Sequence, residues 1–226
     1  MGSQGSVSQI GYPSRNYRKK VVFEKLLYSR IIFCIFLQHF YTHKRYCMIL
    51  SDKKILEEMK KGTIVITPFD RKYLGSNSYD VHLGKDLAMY EHEILDARVH
   101  NKVRHFQIPK EGLILVPSKL YLGVTEEYTE SHAHVPFLEG KSSIGRLGID
   151  IHATAGKGDV GFCNTWTLEI SVRQPVKVYA GMPIGQLIYF AVDGDVEVLY
   201  NKKKNAKYNQ RTKRPVESMM WKNFKK

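Results

Sequence analysis

Thr165-Trp166-Thr167-Leu168-Glu169-Ile170-Ser171-Val172 alternates apolar and polar residues with a period of two, the pattern of a half-buried β-strand. If Trp166, Leu168 and Ile170 face a core, then Thr167, Glu169 and Ser171 face the other side. Similar short runs lie on both sides of it: Thr63–Thr67, Tyr79–Leu83, Leu113–Val116, Leu120–Thr125, Ile149–Ala153, Val176–Tyr179 and Gln186–Val192. Gly, Pro, Asn or Asp separates most of them. Many short strands at this spacing predict an all-β sandwich or barrel. No strand alternates with a long helix, which disfavours a doubly wound α/β fold. One short helix is expected at about residues 52–61. Ser51 is a good N-cap, Asp52 suits the first turn, Ile55, Leu56 and Met59 share a face, and Gly62 supplies the stop.

The chain has 226 residues, 43% apolar and 25% charged, enough for one domain with a core that needs no disulfide or metal. Its net charge of +13 sits in the two ends. Residues 1–47 carry eight Lys/Arg against one acid, and residues 202–226 carry ten against one. The middle has 17 basic and 20 acidic residues. A nucleic-acid-binding domain shows a basic stripe across its folded face instead. The odd count of cysteines, Cys34, Cys47 and Cys163, forms no C-x-x-C pair, which points to a reducing, cytoplasmic setting. The H-x-E and P-C-x-x-C signatures of zinc-dependent base deaminases are absent.

Residues 1–47 differ in composition from the rest. The apolar run Ile31–Leu37 is too short for a membrane span, and Glu24, Lys25, Arg30, Gln38 and His39 break the stretch around it. Disorder, organelle targeting and a non-native leader remain open readings of this extension. Met48 followed by Ile49-Leu50-Ser51-Asp52 looks like the natural opening of a domain. A chain starting there is expected to fold and work, with residues 48–201 as the β domain and 202–226 as a basic tail.

The densest polar segment is Gly140-Lys141-Ser142-Ser143-Ile144-Gly145-Arg146-Leu147-Gly148. Cations offset phosphate charge, hydroxyls and exposed N–H groups donate to oxygens, and glycines allow close approach. It is not a Walker A loop, and a polar turn would have the same composition. Thr154–Phe162 is a glycine-laden turn carrying one acid, Asp159, and reads as a hairpin tip between two strands. Glu169 lies on a strand face, where it meets solvent or is held in a cleft and shuttles protons. The tail, from Tyr200 through Lys207 and Gln210, interleaves Lys with Tyr and Gln and could clamp phosphates. His132 and His134 would share a strand face and, lacking a third ligand, read as surface residues. His152 reads as a packed strand residue.

Taken together, these segments resemble the dCTP deaminase family of the dUTPase-like superfamily. The likeness runs from Met48 to Ser218 and rests on Gly75–Gly84, Gly140–Gly148, Thr154–Phe162, Thr167-Leu168-Glu169, Gly185-Gln186-Leu187, Tyr200 and Ala206–Gln210. Its most specific part is G-[RK]-S-S-x-x-R-L-G followed by an Asp and, ten residues later, a Glu. The resemblance implies a β-clip or distorted jelly-roll with a short N-terminal helix, assembled as a homotrimer with sites between subunits. It implies Glu169 as general base, helped by Arg146 and Ser142. It implies nucleotide contacts from Lys141, Ser142, Ser143, Ile144, Gly145, Arg146, Asp159, Thr167, Leu168, Gln186, Tyr200, Lys207 and Gln210. Mg²⁺ would arrive on the triphosphate, with no zinc and no metal ligand from protein side chains. Lys141 stands where many members have Arg, and the turn before Asp159 lacks their bulkier residues.

The expected activity is hydrolytic deamination of dCTP, releasing ammonia and dUTP as a precursor for dUMP and dTTP synthesis. The alternative is a bifunctional member that also hydrolyses dUTP to dUMP and diphosphate, which Thr154-Ala155-Gly156 and Gly161-Phe162 resemble. A non-catalytic nucleic-acid or membrane-surface protein is a third reading. It has no use for Glu169 in register with the phosphate segment, so neither nucleic acid nor stable membrane insertion is expected.

Overall fold

Ser51 opens the first helix. Its Oγ accepts a hydrogen bond from Lys54 N at 3.3 Å and caps helix α1, Asp52–Lys60. Gly62 adopts a φ of +74° just past the helix and ends it. The computed structural model describes residues 48–225. The expectations placed on residues 1–47 lie outside them.

Thirteen strands follow: β1 Ile64–Thr67, β2 Tyr79–His82, β3 Asp86–Tyr90, β4 Val103–Gln107, β5 Leu113–Leu115, β6 Tyr121–Val124, β7 Tyr128–Ser131, β8 His134–Gly140, β9 Ile149–Asp150, β10 Phe162–Asn164, β11 Thr167–Val172, β12 Val176–Val178 and β13 Pro183–Ala191. A four-residue helix α2, Ser142–Gly145, lies between β8 and β9. The strands form sheets ordered β1-β7-β10, β4-β3-β6-β11-β9, β12-β5 and β2-β13-β8. All the pairings in them are antiparallel. The all-β expectation is borne out, and so is the alternation in β11: Leu168, Ile170 and Val172 are buried, while Thr167, Glu169 and Ser171 are half-buried. Leu168 pairs with Gly123 of β6, where a Cβ would come within 2.8 Å of Ile170 Cδ1. A side chain there would have to displace the end of the Ile170 side chain.

Several local expectations are corrected. β8 is a further strand that the sequence reading did not place, and it contains Pro136. It is an edge strand, where a missing N–H costs no ladder bond. The expected strand Ile149–Ala153 shrinks to Ile149–Asp150. Thr154–Phe162 is not a hairpin tip, because β9 pairs with β11 whereas β10 leaves to join β7. His134 is buried rather than on the surface, and burial lowers its imidazole pKa below the usual value. His132 lies past the end of β7 and sets its Nε2 2.7 Å from Glu130 Oε2. His152 is outside any strand, half-buried, 3.7 Å from Glu139.

Glu58 is the acid that α1 buries. Burial alone would raise its pKa, but hydrogen bonds from Lys61, Thr63 and Lys54 outweigh burial and leave it at about 2. Thr63 Oγ1 donates to it at 2.6 Å and Lys61 Nζ lies 2.8 Å away. A depressed folded-state pKa contributes stability above the ordinary carboxylate value and loses it as pH falls toward the folded one. The protein is expected to lose stability between about pH 4.5 and 2, with Glu58→Gln losing less over that window. Urea midpoints at pH 6 and pH 3 check this. An equal drop in both proteins would assign the acid sensitivity elsewhere.

Candidate active site

The inner strands of the five-stranded sheet present Glu169 to a cavity of about 570 Å³. Pairing opposite Leu122 and a hydrogen bond from Glu169 N to Ile151 O (2.8 Å) hold its backbone from both sides. Thr167, Asp159 and Tyr200 line the same cavity. Its aromatic wall is Phe162, whose ring lies 4.8 Å from Trp166 and 6.0 Å from Tyr200, centroid to centroid. Trp166 is fixed in turn by donating from Nε1 to Thr129 Oγ1 at 2.9 Å. Such a wall suits a planar base.

Asp159 reaches the cavity on a turn pressed flat against its neighbours. A Cβ at Gly158 would lie 2.7 Å from the Trp166 ring, and one at Gly161 would lie 2.7 Å from Tyr200 N. These contacts leave little room for a side chain at either position. The hydrogen bond from Lys157 Nζ, at 2.7 Å, holds the Asp159 carboxyl below its usual range, with burial opposing and Lys203 assisting. Asp159 is therefore an anionic acceptor at neutral pH.

The tail closes the cavity. Buried Asn164 donates to the carbonyls of Tyr208 (3.1 Å) and Gln210 (2.9 Å), and its Oδ1 accepts from Thr212 N at 3.3 Å. Thr165 Oγ1 donates to Thr212 O, and Thr167 Oγ1 accepts from Val216 N. Tyr208, Thr212, Val216 and Ser218 thus become cavity wall. A second cavity of about 480 Å³ shares Tyr200 and Tyr208 with the first and is lined by Lys203, Lys204, Lys207 and Lys222. Lys207 lies there, and the Gln210 side chain is exposed. Sequence reading missed Asn164, Thr165 and Thr212. A buried Asn at a strand end is a signal only once the tail is seen to return to it.

The other expected site residues lie elsewhere on the chain. Lys141, Ser142, Ser143, Ile144, Gly145 and Arg146 form the α2 turn, and none lines the Glu169 cavity. Ile144 is buried and anchors the turn, leaving Ser142, Ser143 and Arg146 exposed. Arg146 donates to Ser142 O at 2.8 Å, and Lys141 Nζ pairs with Asp80. Gln186 sits in register with Asp80 and Glu139 and accepts from Ser78 Oγ. Leu168 is a core residue, so only its backbone can border a ligand. One chain therefore carries two separate clusters, a carboxylate-lined cavity and an exposed polar turn.

Residues 49–192 match the family model of dCTP deaminase-like proteins. The chain belongs to the dCTP deaminase-like family. It is 48% identical over 177 residues to the "dCTP deaminase, dUMP-forming" of Clostridium acetobutylicum, covering 78% of this chain and 99% of that one. The protein of the same name from Leptospira biflexa is 47% identical over 179 residues, covering 79% and 99% of the two chains. That of Cytophaga hutchinsonii is 46% identical, covering 79% and 100%. The 2′-deoxycytidine 5′-triphosphate deaminase of Agrobacterium tumefaciens shares the fold, with a TM-score of 0.53 at 20% identity. It is matched over 66% of this chain and 49% of its own. The family and the reading as an enzyme of that family are borne out. The expectation of dUTP as released product is overturned, because these curated relatives are named dUMP-forming. Glu169 and Asp159 line one cavity. No helix among the described residues is long and apolar enough to cross a membrane.

Proposed function

We propose that the chain converts dCTP to dUMP, ammonia and diphosphate in two hydrolytic steps on one bound nucleotide. The observation that carries this reading is that Glu169 and Asp159 share one cavity, with an aromatic wall and a lysine-lined annex beside it. Glu169 takes a proton from water as the oxygen attacks C4 of cytosine, then returns it to the amino nitrogen. The C4–N bond breaks, one water proton leaves in ammonia, and the other ends on N3. In the second step a water held by anionic Asp159 attacks the α-phosphorus, the α–β bridging bond breaks, and diphosphate leaves. Asp159 also faces the sugar 3′-hydroxyl, and Tyr200 and Lys207 take the phosphate side. Mg²⁺ enters on the triphosphate as part of the substrate.

The α2 turn offers the remaining donors, and a second copy of the chain brings it to the Glu169 cavity. Ser142 and Arg146 of that copy position the attacking water, and Lys141, Ser143, Ile144, Gly145 and Gln186 complete the nucleotide contacts. Two observations support assembly. The two clusters of one chain do not meet in one cavity, and Ile114, Val116, Leu120 and Leu147 are exposed apolar residues that favour a partner surface. A homotrimer is the assembly this reading takes.

Incubation of the chain with dCTP and Mg²⁺ tests the reaction. Ammonia, dUMP and diphosphate should form in equal amounts. Free dUTP accumulating in step with ammonia would end the two-step reading, and no ammonia would end both.

A further inference from the structure

Strand pairing sets Cys163 of β10 directly opposite Glu130 of β7, and cross-strand partners share a face of the sheet. His132, one residue beyond β7, turns back toward Glu130. The Cys163 sulfur, one His132 nitrogen and one Glu130 oxygen all lie within 4.8 Å of one another, and all three residues are half-buried. We propose that Glu130, His132 and Cys163 form a zinc site outside the nucleotide cavity, with water as fourth ligand, that clamps the root of the C-terminal tail.

The donor set selects the ion. Thiolate and imidazole favour borderline-soft transition ions over Mg²⁺ or Ca²⁺. Zinc–ligand distances of about 2.0–2.3 Å place tetrahedral ligand atoms about 3.2–3.8 Å apart. The Glu130–His132 contact of 2.7 Å must open slightly, and the sulfur lies within 4.8 Å of both ligand atoms. A supporting shell is already built. The Tyr128 hydroxyl donates to Glu130 Oε1 at 2.8 Å, and Asn201 Nδ2 donates to Cys163 Sγ at 3.6 Å. Partners of this kind orient metal ligands.

The tail touches the site at both sides. Asn201 belongs to the turn Tyr200–Lys202, and the Arg211 guanidinium lies 4.1 Å from the centre of the Tyr128 ring. Asn164, next to Cys163, holds the carbonyls of Tyr208 and Gln210. None of the three ligands lines the nucleotide cavity, whereas Phe162 and Asn164 on either side of Cys163 do. The ion would fix the frame of the cavity and take no part in deamination.

The test uses the full chain stripped with a chelator and then titrated with Co²⁺ or Zn²⁺. Co²⁺ should produce a thiolate charge-transfer band at one ion per chain, and Cys163→Ser should abolish it. His132→Gln, which keeps the thiol, should weaken zinc at least about tenfold in competition with a chromogenic chelator, a loss that outer-shell changes alone can reach. With zinc, cleavage of the tail by trypsin should slow in the unaltered chain and not in Cys163→Ser. A missing cobalt band, a band kept by Cys163→Ser, or zinc affinity unchanged in His132→Gln would overturn the site.

Discussion

Glu169→Gln is expected to keep the fold and dCTP binding while losing ammonia release by at least about a hundredfold, the lower end for general acid–base catalysis. The amide preserves shape and hydrogen-bonding reach but cannot take a proton from water. The backbone of residue 169 is set by pairing with Leu122 and by the bond to Ile151 O, and neither depends on the side chain. Its carboxylate enters none of the ion pairs among the described residues. The substitution therefore strands no buried cation, and lost activity can be read as lost chemistry. Calorimetric titration with dCTP and an ammonia assay separate binding from turnover. Near-normal ammonia release would remove Glu169 from the mechanism.

Mixing two impaired variants should raise activity above that of either. Arg146→Ala removes the exposed cation of the α2 turn and is expected to weaken both binding and turnover. Glu169→Gln leaves that turn intact. If each site takes its carboxylate from one copy and its arginine from the next, an equal mixture that reassembles at random regains about a quarter of the sites. Activity as low as that of either parent after co-expression would mean that each chain builds its site alone. Because the α2 turn and the Glu169 cavity are separate in one chain, this outcome bears directly on how the two clusters are used.

The local signals were strong where the chemistry is local. The capped helix needs only Ser51, Asp52 and Gly62, within one stretch of chain. The alternation of β11 follows from period-two geometry, and it put Glu169 on the correct face. The polar, glycine-rich composition of Gly140–Gly148 is likewise visible without a fold. β8 was hidden because Pro136 argues against a strand until the strand is known to be an edge. β4 was hidden because Arg104 and His105 give Val103–Gln107 no apolar face.

By itself the sequence determined the all-β class, the helix at Asp52–Lys60 and the membership in a family whose motifs lie in short, ordered pieces. Only the tertiary structure decided which of those pieces meet. It brought Asp159, Thr167, Glu169 and Tyr200 to one cavity and left Lys141 to Arg146 on a separate turn. It returned the tail to Asn164, more than forty residues upstream. It also set Cys163 opposite Glu130 and beside His132, a grouping that no spacing along the chain announces. The physical reason is range. Caps, alternation and turn composition depend on neighbours a few residues apart. Strand register is chosen by burial of whole faces against each other, and it couples residues that the sequence keeps far apart.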